Sequence, residues 1–161
     1  SQRHTLDVDA PEVLRRCQED GADVAILVPN CPVCHQTMSL VARHLEAHGI
    51  ATVIMGAALD IVEHVGVPRF LFSDLPLGHS AGLPYDTGSQ DASVRAALDV
   101  LEQASQARTT QRNAVRWPGD PDWKRHYLSI EGLTPEDIAR LRAENDAIKA
   151  TAQHVRDSAL S

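Results

Sequence analysis

The sequence predicts an α/β fold: a small parallel sheet in three layers, flavodoxin- or Rossmann-like, followed by a C-terminal helical arm. Three observations carry that prediction. Runs of mostly branched apolar residues, "DVAILV" (23–28), "ATVIMG" (51–56) and "PRFLFSD" (68–74), alternate with helical patterns. Continuous runs of this kind mark strands buried on both faces, as in parallel sheets. Gly21, Gly49 and Gly66 close the helical patterns, where a left-handed residue ends a helix. At 161 residues the chain is long enough to bury a core of useful size.

The elements follow in order. "RHTLDV" near the start is a candidate edge strand. "DVDAPEVLRRCQEDG" reads as a short helix, with Asp9 as cap, Pro11 in the first turn, and Val13, Leu14 and Cys17 as its apolar stripe. After the first buried strand, residues 32–48 place Met38, Val41 and Leu45 on one helical face. "ALDIVEHVG" is a second short helix between two strands. Residues 75–89, "LPLGHSAGLPYDTGS", form a long loop rich in Gly and Pro. Residues 90–105 make another helix, with Val94, Ala97, Leu98 and Leu101 inward. Strand–helix alternation implies right-handed crossovers and helices on both faces of the sheet.

From residue 106 the character changes. "QARTTQRNAVRWPGDPDWKRHY" is polar, proline-bearing and irregular. "TPED" then opens a long helix, with Thr134 as cap, Pro135 at the first position and Asp137 three after the cap. Ile138, Leu141, Asn145, Ile148, Ala152 and Val155 follow at spacings of three and four, a heptad seam with one polar Asn. The chain thus divides into an α/β domain (1–107) and a linker with an amphipathic helix (108–161). The seam predicts a homodimer or higher homo-oligomer; docking on its own domain is the alternative.

A net charge of −7 argues against a general nucleic-acid binder. No apolar run approaches the roughly 20 residues of a membrane span, so no membrane partner is expected. The first residues lack a signal-peptide pattern. Three cysteines are no disulfide framework, and the expected setting is the reducing cytoplasm.

Two of those cysteines stand in "VAILVPNCPVCHQTM" (24–38), just past the first buried strand and at the start of a helix. Ligands collect at the carboxyl ends of strands in open α/β sheets. Unpaired N–H groups and the positive end of the helix dipole favour a thiolate there. A thiol pKa lowered from ~8.5 to ~6.5 raises the thiolate fraction at pH 7 roughly twenty-five-fold. The placement suits Cys31 as attacking thiolate and Cys34 as the thiol that resolves it. The loop at 78–86 should reach the same edge and offers His79 to protonate a leaving group or orient a substrate. Asn30, His35, Gly78, Ser80, Tyr85 and Asp86 complete the candidate substrate contacts.

Other readings of the turn stay open. "CPVCH" matches the haem-attachment pattern, but haem attachment belongs to exported chains. Cys31, Cys34 and His35 offer three ligands to a metal, and a fourth must come from elsewhere. A thioredoxin-like disulfide exchanger, or a pair that only packs, is also compatible. His44 and His48, four apart on one helix, lie at the opposite end from the reactive edge.

"GADVAILVPNCPVCHQTM…HLEAHGIATVIM" followed by "HVGVPRFLFSDLPLGHSAGLPYD" resembles the glycine/sarcosine/betaine/D-proline reductase family over roughly residues 21–105. The match is to the substrate-activating, selenoprotein B-like component. The resemblance implies reductive cleavage of a C–N bond, or of C–S or C–Se, in a small amino-acid-like substrate. It also implies an external dithiol or thioredoxin-like electron donor and a redox partner protein. The family uses a selenocysteine and a pyruvoyl group from a separate subunit; this chain carries only cysteine. Depending on which cysteine pair is matched, the selenocysteine position falls on Val28 or on Cys31. A cysteine-containing stand-alone relative is the expectation.

Overall fold

The computed structural model describes residues 2–120, 122–126 and 129–159. The chain divides into two compact units, the second beginning at Asp122. The first opens with helix: α1 (Gln2–His4), a π-helical turn (Thr5–Asp9) and α2 (Ala10–Glu19). No edge strand forms at "RHTLDV". Asp9 is itself helical, with φ −68° and ψ −47°, and makes no side-chain cap. The reason is packing: Thr5 is buried, and Ala10 and Leu14 pack with Val41 and Leu45 of the next helix.

Three strand–helix units then follow. These are β1 (Val24–Leu27), α3 (Pro32–Ala47), β2 (Ala51–Gly56), α4 (Leu59–Val65), β3 (Arg69–Phe72) and α5 (Thr87–Gln103). The polar stretch beyond 106, read from sequence as irregular, supplies a fourth strand, β4 (Thr109–Arg112). The sheet runs β1-β2-β3-β4 and every pairing is parallel. Apolar residues fill the central strands: Val53, Ile54, Met55 and Leu71 are at most 1% exposed.

Alternate strand residues face opposite sides. Ile54, Phe70 and Phe72 pack with Ala42 of α3 and Val62 of α4. Val53, Met55 and Leu71 pack with Ala97 and Val100 of α5. The domain is therefore three-layered, with α5 alone on its face among the described helices that join strands. With the strands in sequential order, crossovers of one hand would place every connecting helix on the same side. The β3–α5–β4 crossover therefore has the opposite hand to the two before it, so the expectation of uniformly right-handed crossovers is corrected. The inward stripe of α5 is corrected too: Ser93, Ala97 and Val100 are buried, whereas Val94 and Leu98 are more than 40% exposed.

At the amino ends of the strands, Glu46 of α3 accepts hydrogen bonds from Thr52 Oγ1 (2.9 Å) and from Arg69 (2.7 Å), tying the helix to β2 and β3. The second unit holds α6 (Trp123–His126) and α7 (Pro135–Ala159). Thr134 and Asp137 form the predicted reciprocal cap: Thr134 Oγ1 accepts from the Asp137 N–H (3.1 Å), and Asp137 accepts from the Thr134 N–H (3.2 Å).

Candidate functional site

β1 ends at Leu27, and four residues later α3 is capped by Cys31, extended at φ −120° and ψ 161°. Cys31 Sγ accepts the Cys34 N–H at 3.1 Å, and Pro32 occupies the first helical position. The two cysteines form a disulfide. Cysteine is not a preferred cap; Ser, Thr, Asp and Asn are. A sulfur in that position meets the dipole and the unpaired N–H groups of the helix end. Both cysteines are half-buried.

His35 is fully buried. Its Nε2 faces two donors, the N–H groups of Ala57 (2.9 Å) and Ala58 (3.3 Å), and so accepts. The proton therefore sits on Nδ1, which donates to the Cys31 carbonyl at 2.7 Å. Both ring nitrogens are used in fastening the cysteine turn to the loop after β2. In this arrangement His35, expected as a substrate contact, has neither a lone pair nor a proton left to offer a ligand. A Cβ on Gly56 would lie 2.9 Å from the His35 ring, so glycine is what lets the ring pass against the strand. Among the described residues no three His, Cys, Asp or Glu side chains gather as a metal shell, so the Cys31/Cys34/His35 ligand set does not assemble.

The 78–86 loop reaches the same edge. Ser80 Oγ donates to the Pro29 carbonyl at 2.6 Å, and Ser73 Oγ donates to the Ser80 carbonyl at 2.8 Å. Asn113, just past β4 and buried, donates to Ser73 Oγ (3.1 Å) and Ser93 Oγ (2.8 Å). One hydrogen-bonded chain thus links the carboxyl ends of β1, β3 and β4 with α5. Sequence reasoning missed Ser73, Ser93 and Asn113, because the strand that delivers Asn113 carries no apolar signal.

Between turn and loop lies an open cleft of about 320 Å³, lined by Val28, Asn30, Gly78, His79, Leu83 and Gln90 among others. Asn30, Gly78 and His79 therefore line one cleft. His79 also packs on Trp117, with ring centroids 5.1 Å apart. The cysteines are not among the cleft's lining residues; Cys31 follows the cleft residue Asn30 directly. Ser80 is 1% exposed and holds the loop from beneath, which corrects its reading as a substrate contact. Asp86 caps α5 by accepting the Ser89 N–H at 3.2 Å. Tyr85 has a left-handed backbone, φ 59°, and a wholly exposed side chain outside the cleft lining. At the carboxyl end of α3 the His44 and His48 rings lie tilted against each other, centroids 4.4 Å apart, away from the cysteine turn.

No family model matches the chain, and no solved structure matches it. It is 30% identical over 106 residues to the D-proline reductase subunit gamma of Acetoanaerobium sticklandii, covering 66% of this chain and 44% of that relative. The chain spans less than half the length of the curated relative it matches. No described helix is long and apolar enough to cross a membrane. This similarity bears out the resemblance to the reductase family: the chain is distantly related to a D-proline reductase subunit.

Proposed function

We propose that the chain is a thiol-dependent, reductase-type protein that cleaves a bond to carbon in a small amino-acid-like substrate. The bond is C–N, or C–S or C–Se. The observation that carries this is the Cys31–Cys34 disulfide at the amino end of α3, on the ligand-binding edge of the sheet. The kinship to a D-proline reductase subunit supports the reaction class.

In the reduced chain, the Cys31 thiolate attacks the carbon that bears an activated amine. A C–S bond forms as the C–N bond breaks, and the amine leaves with its electron pair and a proton from His79. The Cys34 thiolate then attacks the Cys31 sulfur. The disulfide forms, the C–S bond breaks, and carbon keeps the electron pair and takes a proton. The two thiols lose two electrons and the substrate gains them. An external dithiol or thioredoxin-like protein returns the disulfide to the reduced state in a reducing cytoplasm. The relative is named as a subunit, and by the same reading this chain works with protein partners that activate the substrate. Asn30, Gly78 and His79 orient the substrate in the cleft.

Reduced Cys34→Ser protein, mixed with activated amino compounds, should accumulate a Cys31 adduct by intact mass, and Cys31→Ser should form none. Absence of an adduct in Cys34→Ser, together with unchanged chemistry in Cys31→Ser, would defeat the proposal. One observation favours a second reading, a non-redox ligand-binding protein: Val28, rather than a cysteine, lines the cleft. Under that reading, ligands stabilise Cys31→Ser as much as the parent chain and no thiol is consumed.

A further inference from the structure

Helix α7 leaves most of its seam uncovered: Leu141 is 43%, Ile148 68% and Val155 58% exposed, and only Ile138 at its start is half-buried. A helix of 25 residues is about 37 Å long and marginal alone in water. With Ile138 at heptad position a, Asn145 and Ala152 are the next a residues, and Leu141, Ile148 and Val155 are d residues. The flanks are sorted by sign. Position g carries Asp137 and Glu144; position e carries Arg142 and Lys149.

We propose that the occupant of this seam is α7 of a second copy of this chain, running parallel and in register. In a parallel pair, each g residue faces the e residue five positions on in the partner. Asp137 then meets the partner's Arg142, and Glu144 meets the partner's Lys149. In an antiparallel pair e faces e and g faces g, which sets cation against cation and carboxylate against carboxylate. The polar Asn145 adds a second constraint. In the parallel register it faces its own copy across the axis and the two amides bond to each other. In the antiparallel arrangement it is set among d residues, which are all apolar. Charge pattern and buried amide select the same arrangement, and neither depends on the redox reading above.

The test uses the full-length chain. Ala152→Cys, on the seam, should give a covalent dimer under mild oxidation. Ala150→Cys, on the outer face, should cross-link no more than the parent chain. Lys149→Glu should weaken association roughly tenfold, and adding Glu144→Lys should restore it. A parent chain that is monomeric by light scattering at tens of micromolar would overturn the proposal. So would a dimer in which Ala152→Cys fails to cross-link, or in which the charge exchange restores nothing.

Discussion

Helices α3 and α7 begin alike and end differently. Each has a proline at its first position and a cap residue whose side chain accepts the third N–H. In α7 that acceptor is the oxygen of Thr134; in α3 it is the sulfur of Cys31. Along α3, Val41, Ala42 and Leu45 are no more than 1% exposed. Along α7, Leu141, Ile148 and Val155 are 43–68% exposed. Local rules start a helix in both places, but only surrounding strands and helices give one of them a buried face. The comparison also isolates the odd residue: a cysteine stands where an oxygen caps better, and the proposed chemistry rests on it.

Truncating the two stripes should separate the helices most widely. Leu45→Ala should cost about 2–5 kcal/mol in urea unfolding of the α/β unit, as expected for a large buried aliphatic. Ile148→Ala should leave that transition where it is and act only on association. Equal effects would mean that α7 also shares the core. Next in size is the polar anchor of α3. His35→Ala removes the acceptor for the Ala57 N–H and leaves a void, an expected loss of about 2–3 kcal/mol. Amide exchange at Ala57 should quicken with it; an unchanged rate would show that the ring does not hold the loop.

Loss of the ordinary cap in Thr134→Ala should lower α7 stability by about 1 kcal/mol, seen as reduced helicity without a shift in α/β unfolding. The smallest effect is one of pH. Burial, and then the neighbouring His48, hold the His44 pKa below its usual 6.5. His44 Nε2 has no hydrogen-bond partner. The unfolded chain therefore takes up a proton here before the folded chain does, and stability is lost as pH falls from 6.5 toward the depressed value. His44→Gln should flatten that part of a stability–pH curve, and an unaltered curve would remove His44 as its source.

The three strands that carry apolar runs were legible in the sequence to within a residue or two, because burial on both faces leaves an unmistakable run. β4 was not, because "TTQR" pairs on one side only and its side chains stay largely exposed. Nor was the inward stripe of α5, where small residues, Ser93 and Ala97, face the sheet and the larger Val94 and Leu98 do not. Within the site, the cysteine turn and His79 could be placed because they follow strand ends. The use of His35 could not, since its partners are backbone groups 22 and 23 residues away. The Ser80–Pro29 contact, 51 residues apart in the chain, was equally hidden.

The central claim, that Cys31 and Cys34 form a working redox pair, is tested most directly by titrating the full-length chain in defined dithiol/disulfide buffers, with trapping of the thiols and peptide mapping by mass. The account predicts one reversible two-electron couple confined to Cys31 and Cys34. It also predicts that iodoacetamide near pH 7 labels Cys31 of the reduced chain before Cys34 or Cys17. Slow and equal labelling of all three cysteines, with no Cys31–Cys34 disulfide formed across the titration, would contradict it.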